Sequence, residues 1–168
     1  SEKIEKTFAL NHLSYFYLTL GLIDNLELSE NPMIINVASQ AHKRFKLDLN
    51  DIENKKFYSG WKSYCRSKLL NILFTYEFSK RYPGFVNTNF GNNNISLFRF
   101  VINILKNIIA VSPEKGSESI IHLIMNDIRV SGKYFVKSKE QISSKLSYDE
   151  DLAKQVWELS YKYIQKHL

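Results

Sequence analysis

The sequence predicts a layered α/β domain. Three observations carry that expectation: apolar residues recur three and four apart in several stretches, two short β-branched runs lie between them, and 168 residues with 44% hydrophobic content suffice for one core. Residues 3 to 20 place Ile4, Phe8, Leu10, Leu13, Phe16, Tyr17 and Leu20 at helical spacing, and Gly21 with Asp24-Asn25 ends that helix. After Asn31-Pro32, the run from Met33 to Ser39 reads as a buried strand. Gln40 to Gly60 is polar and lacks a sustained period, so it reads as a long loop. Trp61 to Arg81 returns to a helix, with Leu69, Leu70, Leu73, Phe74 and Phe78 along one side and Pro83-Gly84 as its stop.

Residues 95 to 111 form a further helix candidate, apolar nearly all round and broken by Arg99 and Lys106. Its apolar surface with two cations suits contact with a membrane face, and the alternative is a helix of the core. Ser112-Pro113 opens another helix with Ile120 to Ile128 as its stripe. Gly132 to Val136 then reads as a short strand, and a polar loop leads to a last helix from about Tyr148 to His167.

Composition narrows the function classes. A single cysteine, Cys65, excludes an intrachain disulfide framework and a cysteine-based zinc site, so no metal is expected and a reducing intracellular setting fits. The charge of +6 permits association with phosphate or anionic lipid. The basic cluster His42-Lys43-Arg44 with Lys46 holds only Phe45 as an aromatic, however, and no nucleic-acid partner is expected. No basic region, apolar run and small-residue cleavage site occur in secretory order, which leaves a cytoplasmic or membrane-associated location.

Tyr-x-x-x-Lys is the pairing with chemical content. Four residues make about one helical turn, so an ammonium stands beside a phenol, and a nearby positive charge favours phenolate. The chain holds three such pairs: Tyr58/Lys62, Tyr64/Lys68 and Tyr76/Lys80. Tyr58/Lys62 lies in a Gly-interrupted loop and Tyr76/Lys80 near a helix end, where surface pairing is the plain expectation. Tyr64/Lys68 instead opens a strong helix downstream of a strand ending in Ser39, and strand ends are where open α/β sheets bind ligands. Taken singly, Asn11 is a polar helix residue, Ser39 a strand-end cap and Tyr64/Lys68 a solvated pair.

Taken in order, they resemble the short-chain dehydrogenases/reductases, in their retinol dehydrogenase-like branch. The resemblance rests on Asn11-His12-Leu13-Ser14-Tyr15-Phe16 with Thr19, on Ile35 to His42, and on Tyr64-x-x-Ser67-Lys68-Leu69-x-Asn71. Pro83-Gly84-Phe85-Val86-Asn87-Thr88 and Gly132-Lys133-Tyr134-Phe135 complete the series. It implies hydride transfer between NADP(H), or NAD(H), and a lipophilic alcohol or carbonyl compound such as a retinoid. Tyr64 would be the general acid/base, and Lys68 would lower its pKa and hold the nicotinamide ribose. Ser39 would hydrogen-bond the substrate oxygen, and Asn11 would position a water behind Lys68. Pro83, Gly84, Val86 and Thr88 would lie along the nicotinamide. The resemblance also implies subunit pairing through helices 3 to 20 and 61 to 81, with residues 95 to 111 over the substrate. Cys65 is expected to be a bystander.

Two departures stand out. No Gly-x-x-x-Gly-x-Gly turn occurs, and helix 61 to 81 runs straight into Pro83-Gly84, where the family has a buried strand first. The fold expected is therefore the remnant of a doubly wound, Rossmann-like parallel sheet that lacks its N-terminal strands and one internal strand, spanning residues 1 to 168 as one partial catalytic domain. Such a remnant is expected to be poorly stable, oligomeric or dependent on a further segment, with weak or no catalysis of its own, and the alternative is a non-catalytic module that binds a protein partner.

Overall fold

The computed structural model describes residues 4–92, 113–126 and 128–167. The expected helix 95 to 111 lies outside these residues.

Glu5 opens the first helix by accepting the N–H groups of Thr7 and Phe8 at 2.9 and 2.7 Å. Helix α1 (Lys6–Phe8) continues through a π-helical turn, Ala9–Leu13, into α2 (Ser14–Gly21), and α3 (Ile23–Glu27) follows. Strand β1 (Met33–Ser39) matches the β-branched run. The stretch expected as a loop contains two 3-10 turns, Gln40–Arg44 and Leu49–Asp51, before α4 (Gly60–Arg81). Helix α4 ends at Tyr82, with ψ at 69°, because a residue preceding proline is disfavoured in the helical region.

Strand β2 (Val86–Asn92) follows, then α5 (Pro113–Met125), β3 (Lys133–Val136), β4 (Lys139–Glu140), a 3-10 turn at Lys145–Tyr148 and α6 (Glu150–His167). The sheet order is β1-β2-β3-β4, with β1 to β3 parallel and β4 antiparallel. Lys137 and Ser138 turn the β3–β4 hairpin with φ of 49° and 60°, the geometry of a tight hairpin turn.

Strand β2 corrects the expectation of a missing internal strand. It lies between β1 and β3, but its residues follow Pro83-Gly84 instead of preceding it. The sequence Val-Asn-Thr-Asn-Phe-Gly-Asn carries weak strand propensity, and pairing on both edges overrides it.

Helix α4 is the centre of the molecule, and every residue from Cys65 to Phe78 is buried. Ile72 and Tyr76 pack with Ala38, Tyr134 and Val136 of the sheet. Leu69, Leu70 and Leu73 meet Phe8, Leu13, Ile52, Ala153 and Val156, while Phe74 and Phe78 join Phe16, Phe85 and Trp157. The two ends of the helix are less enclosed, with Lys62, Lys80 and Arg81 exposed. Tyr76/Lys80 is not a surface pair: the Tyr76 hydroxyl lies 2.7 Å from Ser143 Oγ inside the protein, and Lys80 pairs with Glu150 at 2.6 Å.

The segment between β1 and α4 is anchored from within. Arg66, 1% exposed, donates to the Asp51 carbonyl at 3.1 Å and to Ser63 Oγ at 3.4 Å. Glu53 accepts the Glu5 N–H, the Tyr163 hydroxyl and the Lys55 ammonium, which ties the first and last helices to this segment. Burial pushes the Glu53 carboxyl up, but these hydrogen bonds outweigh it and hold the group below its ordinary pKa.

Gly132 has φ of +63°, and a Cβ there would lie 2.7 Å from Ser79 Oγ. Gly132→Ala is expected to cost about 1–2 kcal/mol in urea unfolding, part of it recovered in the Gly132→Ala/Ser79→Ala double variant. His12 and His42 are both buried, and burial pulls each pKa down to about 4 from 6.5. Between those pH values the unfolded chain binds more protons, so stability is full above 6.5 and falls as pH drops towards 4, by up to about 3 kcal/mol per histidine. The urea midpoint at pH 5 should lie below that at pH 7; equal midpoints would show that the histidines are not buried neutral.

Candidate active site

Ser39 ends β1 and is 5% exposed. Its Oγ accepts the Ala41 N–H at 3.2 Å, starting the 3-10 turn, and its carbonyl lies 2.6 Å from His42 Nδ1. His42 Nε2 accepts the Ser144 N–H at 3.0 Å, so the neutral ring carries its proton on Nδ1 and donates it to the Ser39 carbonyl. The carboxyl end of β1 is thereby fastened to the segment following β4.

Tyr64 comes from the first turns of α4, and its hydroxyl is hydrogen-bonded with the Ser39 side chain. Burial pushes the Tyr64 phenol above its usual range, and the Ser39 contact offsets this only in part. Lys68 lies one turn later with its Nζ over two rings, 5.8 Å from the centroid of Tyr64 and 5.7 Å from that of Tyr15, and donates to the Val37 carbonyl at 2.9 Å. Burial lowers its pKa to about 8. The ammonium sits over the Tyr64 ring, and desolvation of the phenol is the largest influence on its pKa. Tyr64 rests as a neutral phenol.

Asn11 and His12 both reach α4 from the π turn, whose extra residue per turn reorients consecutive side chains. Asn11 Nδ2 donates to Ser67 Oγ at 3.2 Å, and Ser67 in turn donates to the Tyr64 carbonyl at 2.8 Å. Asn11 thus touches the residue beside Lys68. His12 Nδ1 lies 3.3 Å from Asn71 Oδ1. Cys65 is 1% exposed, and burial pushes its thiol up to about 11, an unreactive state.

The structure brings Ser39, Tyr64 and Lys68 together, with Asn11 at their edge. It separates Pro83, Gly84, Val86 and Thr88 from them. Pro83 and Gly84 precede β2 and line an open cavity with Glu27, Pro32, Arg81, Tyr82 and Phe85. In register, Val86 stands beside Met33 and Thr88 beside Ile35, whereas Ser39 stands beside Asn92. Six residues of strand place Val86 about 20 Å from the Ser39 end. The physical reason is the short link after α4, which puts Pro-Gly at the amino end of a strand. Sequence reasoning gave no separate role to Tyr15, whose signal is its position four residues after Asn11 on the same helical run.

The nicotinamide nucleotide implied by the resemblance fits these residues at one end only. The Lys68 ammonium and Tyr64 hydroxyl are donors suited to a ribose diol and to proton exchange. The pyrophosphate needs a Gly-rich turn, and this sequence has none.

No family model matches the chain. It is 33% identical over 171 residues to retinol dehydrogenase 14 of Mus musculus, covering 93% of this chain and 51% of that protein. It is 32% identical over 178 residues to retinol dehydrogenase 13 of Homo sapiens, covering 95% and 54%. Retinol dehydrogenase 12 of Homo sapiens is 29% identical over 173 residues, again covering 95% and 54%. Among solved structures, an uncharacterized protein from Mycobacterium Paratuberculosis shares the fold with a TM-score of 0.63 at 20% identity, covering 90% of this chain and 56% of its own. The chain spans about half the length of the curated relatives it matches. It is homologous, over nearly all of its own residues, to part of a retinol dehydrogenase-like short-chain dehydrogenase/reductase.

Proposed function

We propose that the chain carries the proton-handling part of a short-chain dehydrogenase-type oxidoreductase acting on a lipophilic alcohol or carbonyl compound such as a retinoid, with NADP(H) or NAD(H). The observation that supports this reading is the Tyr64–Ser39 hydrogen bond at the carboxyl end of β1, with the Lys68 ammonium one turn away. The fold is read as the remnant of a doubly wound sheet, and residues 1 to 168 as one partial domain.

A nicotinamide nucleotide held by Tyr64 and Lys68 would supply or accept the hydride. In reduction, Tyr64 gives its phenolic proton to the substrate oxygen, and the Ser39 hydroxyl hydrogen-bonds that oxygen as charge develops on it. Lys68 stabilises the phenolate left behind. Trp61 stacks on Tyr64 with ring centroids 5.8 Å apart, and Phe57 and Tyr58 are exposed just before α4, an aromatic surrounding that suits an apolar substrate. The location in keeping with such a substrate is intracellular, at or near a membrane.

A second reading is a non-catalytic remnant that pairs with a partner. Leu10, Leu18, Leu22 and Leu28, exposed by 71%, 59%, 49% and 87% along α1 to α3, favour it. Calorimetry with millimolar NADPH separates the two. Heat that disappears in Tyr64→Phe/Lys68→Ala supports the oxidoreductase reading, and silence leaves the remnant. In a chain with turnover, Tyr64→Phe is expected to lower it by about 10²–10⁴-fold. Because the Lys68 pKa lies at about 8, activity should decline as pH rises through that value. For residues 95 to 111 we propose weak membrane contact: sedimentation with anionic vesicles should exceed that without them and weaken with salt.

A further inference from the structure

A line of buried polar groups leads away from Lys68 to the last helix. The Val37 carbonyl takes the Lys68 ammonium at 2.9 Å and the Asn71 amide, through Nδ2, at 3.4 Å. Asn71 Oδ1 therefore faces away from Val37 and lies 3.3 Å from His12 Nδ1. An amide oxygen only accepts, so Nδ1 carries the proton and Nε2 of the neutral ring is an acceptor. The group facing Nε2 is the Ser160 hydroxyl of α6, at 2.8 Å. Ser160 has one proton, and its hydroxyl also stands in donating geometry to the Val156 carbonyl at 2.8 Å; with Nδ1 protonated, turning that proton to Nε2 is what gives both ring nitrogens a partner. His12, Asn71 and Ser160 are each 0% exposed, and Phe8 and Phe16 flank the imidazole with centroids at 5.5 and 6.4 Å.

We propose that His12, Asn71 and Ser160 are positioning residues for Lys68: Ser160 fixes the His12 tautomer, His12 fixes the orientation of the Asn71 amide, and Asn71 holds the Val37 carbonyl on which the Lys68 ammonium rests. A carbonyl oxygen has two acceptor directions, and filling the second sets the first. With Nδ1–H removed, the Asn71 amide is free to turn over. Its oxygen would then oppose the Val37 oxygen, and the ammonium would lose its fixed seat between Tyr15 and Tyr64. The proposal rests on the oxidoreductase reading only for the catalytic meaning of Lys68; the geometry stands apart from it.

The test uses the full 15N-labelled chain and reads the Lys68 ammonium resonance and the His12 ring nitrogens. In the unaltered protein, His12 should be protonated at Nδ1 alone. His12→Leu should speed exchange of the Lys68 ammonium protons by about tenfold, the factor corresponding to net loss of one hydrogen bond. His12→Asn should restore slow exchange, because its amide can take the place of Nδ1–H. Ser160→Ala should mix the His12 tautomers and speed Lys68 exchange, and it serves where His12→Leu does not fold. Ile72→Val, a change at a buried apolar side chain outside this polar line, should leave the Lys68 signal in place. An unchanged Lys68 signal in both His12→Leu and Ser160→Ala would overturn the proposal, as would equal disturbance by His12→Leu and His12→Asn. Turnover with NADPH is measured separately: its absence in the unaltered chain counts against the oxidoreductase reading and leaves the Lys68 result intact.

Discussion

A lysine ammonium taken out of water is the demand around which this structure is arranged. Lys68 is 7% exposed, and the fall of its pKa to about 8 measures how much its surroundings disfavour the charge. What offsets that cost is a strand carbonyl and two aromatic faces, each of which must be held still to be useful. The carbonyl belongs to β1, the rings to α2 and α4. Fixing them requires α4 to be enclosed by the sheet on one side and by the first and last helices on the other. The burial of α4 and the burial of its lysine are therefore one structural condition.

The same enclosure explains the other polar groups in the interior. Thr75 accepts from Asn36 at 2.8 Å and donates back to the Asn71 carbonyl at 2.9 Å, while Arg81 reaches Glu77 at 2.6 Å. A helix with polar residues at Ser67, Lys68, Asn71, Thr75 and Glu77 reads as half solvated from its sequence. Its stretch from Cys65 to Phe78 is buried because the neighbouring layers supply most of these groups with acceptors and donors.

That contrast marks what the sequence could and could not reveal. Helix α4 and β1 were legible because leucines and phenylalanines recur at helical spacing in one, and β-branched residues run between turn formers in the other. Ser39, Tyr64 and Lys68 were legible because one helical turn and one strand end bring them together locally. Strand β2 was not, since its alternating asparagines carry little propensity and only pairing with β1 and β3 makes it a strand. Pro83 to Thr88 mislead for a related reason: the residue string resembles the family's, but the short link from α4 places it at the opposite end of the sheet. His12, Asn71 and Ser160 are separated by up to 148 positions in the chain, and a lone polar residue on a helix gives no sign of its distant partner.

The proton inventory links this architecture to the proposed chemistry. At neutral pH, Tyr64 holds its proton because desolvation raises its pKa, and Lys68, at about 8, is mostly charged. Donation from the phenol is thus ready, but the phenolate it leaves is a half-buried anion, with the Lys68 ammonium 5.8 Å from the ring centroid. Reduction forms that anion and oxidation consumes it, so its cost bears on the two directions with opposite sign. The displacement of a single ammonium then alters the barrier in either direction, because Coulomb attraction in a poorly solvated site falls steeply with distance. The catalytic quantity set by this fold is accordingly a position, that of Lys68 Nζ relative to the Tyr64 oxygen. The residues that determine it extend well beyond the two that exchange the proton.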